Sequence, residues 1–311
     1  MSDEPLVTEA KKPWFADRDV LVLMYRINRR PIAQGNFFAE QPEDFLDHLV
    51  ECLLFGEEIV TTGRGNSRTW ILGNSDFSTF TQSLAGWIGF GTEESELRDD
   101  YDESTKSWRT GEVTIERRAT APFVVSGVTQ LLFIAQHPDF SENVPRHVIE
   151  RLLEAGEQRR EHPTTIWGVE PVLDRGGFQQ WLDETNVLEK ITFEVRLPNP
   201  DGEELFEEVL DHLNKMQAGS FKHTLKPRNP EVGLSKDFTQ DSISKQLMAM
   251  VQRTYAQIVA KGTGVSGSIR TYNQNRKVKR ERVHLPEGHE AATQALVEFG
   301  ISKTLEDDDD E

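Results

Sequence analysis

Arg276-Lys277-Val278-Lys279-Arg280-Glu281-Arg282 puts cations on both sides of any strand it forms. A strand buried on both faces does not tolerate this, because each buried charge needs a partner. The segment therefore reads as one arm of an exposed ribbon. Gly267 to Tyr272 and Lys277 to Leu285 are expected to pair as a hairpin across Asn273-Gln274-Asn275. Residues 221 to 282 hold 13 Lys and Arg against 4 Asp and Glu, whereas the rest of the 311-residue chain holds 22 against 49, for a net charge of −18. Positive charge gathered onto one face of an acidic body is the pattern of a phosphate-binding surface.

Upstream of the ribbon, the spacing of Ile243, Leu247, Val251, Tyr255, Ile258 and Val259 predicts a helix over Asp241 to Ala260, stopped by Gly262. Before it comes a strand, helix, strand unit. Ile191 to Leu197 is the first strand; Leu205, Phe206, Val209, Leu210, Leu213 and Met216 share a helical face; Phe221 to Leu225 is the second strand. Strands are also expected around Ile166 to Leu173, with a short segment at Phe178 to Leu182.

The first half follows the same mixed pattern. Val20 to Ile27 reads as a strand, and Phe45, Leu46, Leu49, Val50, Leu53 and Leu54 read as a helix opened by Gln41-Pro42-Glu43 and closed by Gly56. Ile59 to Thr62 and Thr69 to Leu72 form a hairpin across Gly63 to Asn66. Gly91 to Lys106 is acidic and aperiodic, as in a mobile insertion. Strands follow at Glu112 to Arg118, Phe123 to Val125 and Gln130 to Ala135, then a helix at Pro145 to Glu154. The expected class is α+β, with mixed strands and helices in one or two domains and the basic hairpin in the C-terminal half. Residues 1–19 read as a flexible arm, 20–160 and 161–303 as two α+β domains, and 304–311 as an acidic tail after a helix at Ala291 to Phe299 that Gly300 ends.

Composition excludes several classes. No apolar run approaches the roughly 18 residues of a membrane span. Met-Ser-Asp-Glu-Pro at the start has no secretory character, so a cytoplasmic protein is expected. The single cysteine, Cys52, precludes a disulfide within the chain and a cysteine-based zinc site, and its apolar surroundings make it a packed thiol. None of the eight histidines has metal-ligand spacing, and no cofactor motif is present. Gly262-Thr263-Gly264-Val265-Ser266-Gly267 matches a dinucleotide fingerprint in letters, but it lies after a helix and before a strand, the reverse of what pyrophosphate binding needs. Asp183 and Glu194, with Arg196 two residues on, are the sole candidates for a metal-dependent nuclease core.

The order of segments resembles that of the RexA-type phage-exclusion family. The likeness lies in the opening strand ending Tyr25-Arg26, the early apolar helix and the strand pair from Phe123 to Ala135. It continues in Val169-Glu170-Pro171-Val172-Leu173, the strand ending Leu197-Pro198, the basic strand Lys222 to Pro227 and the late glycine-rich stretch. The acidic insertion, the polyacidic tail and the strongly negative total charge depart from the family. The resemblance implies a non-enzymatic, sequence-independent binder of double-stranded DNA that dimerises and acts in phage exclusion with a separately encoded membrane effector.

From charge alone, the DNA-binding residues expected are Lys222, Lys226, Arg228, Lys236, Lys261, Arg270, Arg276, Lys277, Lys279, Arg280 and Arg282. The tail from Glu306 to Glu311 is expected to keep the protein soluble; the sharper alternative is that it folds back on this face and competes with phosphates. The alternative is a metal-dependent nuclease effector of phage defence.

Overall fold

Leu23, Tyr25 and Ile27 alternate with Val20, Val22 and Met24, so a strand through them has apolar side chains on both faces and needs a core on each side. That strand, β1 (Arg18–Pro31), is the spine of the first of two sheets in the computed structural model. The structure describes residues 12–31, 44–54, 58–62, 67–78, 81–102, 107–141, 143–160, 165–196, 206–216, 218–238, 240–276 and 278–308.

The chain continues through α1 (Phe45–Leu54), β2 (Ile59–Thr62), β3 (Ser67–Ser78), β4 (Ser83–Asp102), β5 (Ser107–Ser126), β6 (Leu131–Ala135), α2 (Val144–Gln158) and β7 (Thr165–Pro171). It leaves for a second sheet with α3 (Arg175–Asp183), β8 (Thr185–Arg196), α4 (Glu207–Lys215), β9 (Ser220–Leu225), α5 (Ser242–Gln252), β10 (Ala256–Gly264) and β11 (Ile269–Asn273). It then returns with β12 (Arg280–Leu285) and α6 (His289–Asp308). The architecture is α+β, as composition and patterning indicate.

The first sheet runs β12-β1-β6-β5-β4-β3-β2, with β7 also paired to β1. Helices α1 and α2 cover the face that carries Leu23, Tyr25, Ile27, Phe123 and Ile134. Helix α6 covers the other, packing Ala292, Leu296 and Val297 against Val22, Met24, Val124 and Phe133. Strands β12 and β7 lie end to end along one edge of β1, pairing with residues 18–23 and 25–31 in turn. At the seam, Met24 N–H donates to Lys279 O (3.0 Å), Met24 O accepts from Val172 N–H (3.1 Å), and Leu173 bridges Val278.

The second sheet, ordered β11-β10-β8-β9, is antiparallel throughout. One face is dry: Ile191, Phe193, Val195, Ile258 and Ala260 meet Phe206, Val209, Leu213, Leu247, Met250 and Val251 from around α4 and α5. The other face presents exposed Lys190, Lys222, Thr224, Val259, Lys261 and Thr271.

Four expectations need correction. The ribbon from Gly267 to Leu285 does not form: β11 pairs with β10 in the second sheet, and β12 pairs with β1 in the first. Strand β12 resolves its charge problem at an edge, with Leu285 buried and Arg280 and Arg282 exposed. The helix predicted over Asp241 to Ala260 stops at Gln252. Thr254 turns left-handed (φ +63°), Tyr255 N–H donates to Met250 O (2.8 Å) and Thr254 N–H to Val251 O (3.2 Å), a helix-ending pair of bonds that releases the β-branched Ile258 and Val259 into β10. The acidic stretch is a strand from Gly91 to Asp102, where β4 keeps register with β5 out to Ser107, held by backbone pairing that hydrophobic periodicity does not announce; residues 103–106 lie outside the described residues. Helix α6 runs through Gly300 to Asp308, because Gly300 sits against the Phe133 ring; residues 309–311 lie outside the described residues.

The partition of the chain differs as well. Residues 165–171 and 280–308 belong with the first sheet, and the second sheet is inserted between them. Within the expected N-terminal arm, Phe15 is buried and the Trp14 indole donates to Thr120 O (2.8 Å).

Candidate nucleic-acid interface

The residues expected to bind DNA fall into three places. Lys222 on β9 and Lys261 on β10 stand on the open face of the second sheet, and Lys226 and Arg228 follow β9 as exposed side chains. Lys236 is exposed nearby and donates to Thr185 O. Arg270 on β11 is turned to Glu184, with which it pairs. Arg280 and Arg282 lie on β12 at the edge of the first sheet, with Lys279 just before them, 3.8 Å from Glu281. Arg276 closes a short 3-10 turn after β11, and Lys277 lies outside the described residues. The structure thus gathers Lys222, Lys226 and Lys261 and separates them from the arginines of the 276–282 run.

Sheet register adds a residue that the charge count did not single out. Lys190 on β8 is the cross-strand partner of Lys261 on β10, while Glu194 faces Lys222 and Thr192 faces Thr224 between β8 and β9. Like charges directly opposite repel, and a bulge answers them. The register shifts between Lys261 and Gly262, leaving Glu189 as the extra residue on β8, with its carboxylate 2.9 Å from Lys261 Nζ. Hydrogen bonds from Thr263 and then Lys261 hold the Glu189 carboxyl below the usual carboxylate range. Lys222 Nζ lies 3.1 Å from Glu194. Both ion pairs lie at the surface, where solvent screening leaves an ion pair little net strength, so exchanging carboxylate for phosphate costs these lysines little.

Asp183 and Glu194 do not form a metal site. Asp183 ends α3 and bonds Gln179 (2.9 Å), while Glu194 lies near the far end of β8. Nine residues of strand between Thr185 and Glu194 span roughly 30 Å, too far for one ion.

A cluster that the sequence reading missed lies under the first sheet. His48 and Cys52 stand one turn apart on α1, and Glu157 reaches them from α2; one donor atom from each lies within 4.8 Å of the others. The arrangement is a buried hydrogen-bond network. Glu157 accepts from Thr165 N–H (3.1 Å), the Trp167 indole (3.3 Å) and Cys52 Sγ (3.4 Å), and pairs with His48 at 2.6 Å. Burial, reinforced by the Glu157 charge, pushes the Cys52 thiol up to about 12. A protonated thiol and a carboxylate already supplied with donors suit a structural role better than metal ligation. The spacing of His48 and Cys52 was visible in the sequence, but Glu157 lies more than a hundred residues away.

A family model described as a domain of unknown function, DUF4747, matches residues 69–300, more than half of the chain, running from β3 into α6 and across both sheets. No curated protein matches.

Proposed function

The chain belongs to the DUF4747 family, and we propose that it binds double-stranded DNA, without base readout, through the open face of its second sheet. Lys190, Lys222, Lys226 and Lys261 form the contact, with Arg228 and Lys236 alongside. The observation that carries this reading is the Lys190–Lys261 pair, two cations brought face to face on an exposed sheet. Among the described residues, those exposed on that face include no aromatic ring, so they offer no platform for base stacking, the usual source of single-strand affinity. Phosphate contacts remain.

The resemblance to the RexA type extends the proposal to a homodimeric, non-enzymatic cytoplasmic sensor of phage infection that signals to a separate membrane effector. Among the described residues no helix is long and apolar enough to cross a membrane, so any membrane-spanning helix in that scheme is assigned to the partner.

A salt titration of duplex binding tests the reading. Neutralising four phosphates gives a log–log slope of about −3.6, at about −0.9 per phosphate. Replacing Lys190, Lys222, Lys226 and Lys261 together with Glu is expected to abolish retardation of duplex DNA. A flat salt dependence, or undiminished retardation by the folded variant, overturns the proposal.

A further inference from the structure

The polypeptide passes from the first sheet to the second and back at a single seam, where Leu173 bridges Val278. A cavity of about 280 Å³ opens there. Four cations from four separate parts of the chain line it: Arg26 of β1, Arg175 of α3, Lys279 before β12 and Lys303 of α6. Asp174 is the one carboxylate among the lining residues, and it is occupied as the cap of α3, accepting from Gly177 N–H at 3.0 Å.

The cations are held in place from outside the cavity. Glu281, which does not line it, lies 2.8 Å from Lys303 Nζ and 3.8 Å from Lys279 Nζ. The Arg26 guanidinium lies over the Tyr255 ring, 5.9 Å from its centre. Arg26, Lys279 and Lys303 are half-buried and Arg175 is exposed at the rim, so the field of the first three is screened less than that of a surface cation. An anion in the cavity faces all four at once, and charge-assisted hydrogen bonds from several cations are the strong kind. The volume falls below the ~300–1,000 Å³ of sites for drug-sized ligands, which selects a small, compact anion.

We propose that this seam cavity seats a phosphate, either free or part of a nucleic-acid backbone, through Arg26, Arg175, Lys279 and Lys303. The ligand joins residues of the first sheet to the start of the inserted second sheet, so its binding stabilises their junction. The proposal stands independently of duplex binding by the open face.

Titration of the full chain with inorganic phosphate, by calorimetry and by thermal unfolding against chloride of matched ionic strength, tests it. Saturable heat and a phosphate-specific rise in Tm are expected. Arg175→Gln and Lys279→Gln should each weaken binding about tenfold or more, as loss of a charge-assisted hydrogen bond does, while the open-face Lys→Glu variant binds phosphate normally. No saturable heat with millimolar phosphate, equal stabilisation by chloride, or unchanged affinity in both Gln variants overturns the proposal. A duplex arm separates the two sources of the group. Weaker duplex binding by Arg175→Gln identifies a backbone phosphate as occupant, and unchanged duplex binding beside lost phosphate binding identifies a free one; both support the seat.

Discussion

His48 Nε2 lies 2.6 Å from Glu157 Oε2, with both side chains almost wholly shielded from water between α1, α2 and β7. Removing a buried acceptor leaves each of its donors unsatisfied, at a cost of about 1–3 kcal/mol each. Glu157→Ala is therefore expected to lose stability of that order in urea unfolding, and Glu157→Gln to lose less, because the one amide oxygen keeps either the Thr165 N–H bond made at Oε1 or the Trp167 indole bond made at Oε2. A loss below about 1 kcal/mol for Glu157→Ala would place the pair among weak surface-type contacts and refute this account.

Gly156 tests the same helix pair by steric means. A Cβ there would stand 2.0 Å from Cys52 O and 2.7 Å from Cys52 Cα. Helix propensity favours Ala over Gly by about 1 kcal/mol, but backbone cannot give way as a side-chain tip can. Gly156→Ala should destabilise by about 2 kcal/mol or more, visible as a lower urea midpoint. A higher midpoint would mean that α1 and α2 are not in such close contact.

The Cys52 thiol supplies a chemical readout. With its pKa pushed up to about 12 by burial and by Glu157, and with the residue fully buried, it should not react with a disulfide reagent at pH 8 in the native protein. In urea it should react at once, since the free thiol titrates near 8.5. Rapid modification of the native chain would contradict the packing.

His137 makes stability depend on pH. Its Nδ1 accepts from Asp139 N–H at 3.0 Å, which requires the neutral ring, and burial lowers its pKa against a smaller opposing effect of Asp139. The folded-state pKa lies below the unfolded value of about 6.5, so the unfolded chain takes up the proton first. Stability from this group is complete above that value and declines as pH falls through it. Between pH 7.5 and 5.5 the parent should lose more stability than His137→Asn, compared by urea midpoints; equal losses would exclude the effect.

The elements that sequence patterning located are those whose packing is local in sequence. Leu46, Leu49 and Leu53, or Val148, Ile149 and Leu152, mark helices because one face of each is buried. Patterning failed where a long-range partner decides. Tyr255 to Val259 continue a helical period in letters, but the turn at Thr254 and the pairing of β10 with β8 make them a strand. Ser83 to Gly91 carries glycines at 86, 89 and 91 and has little strand character in composition, yet it is a central strand with β3 and β5 on either side. The candidate site was legible in part. The charge surplus of residues 221–282 pointed to Lys222 and Lys261, but Lys190 joins them through strand register alone, and the same register removes Arg280 and Arg282 to another sheet.

Because Leu173 and Val278 are bridged, the hundred or so residues between them hang from the larger sheet by two neighbouring threads, like a pendant on a clasp. Such an attachment is where one chain is most readily spliced into another, since insertions succeed where their ends are close together. A short link joining Val172 to Lys279 would leave both pieces of the β1 edge in register, and a replacement would then have to supply only the donors that Gln257 and Gln274 now give to Glu170 and Pro171 O.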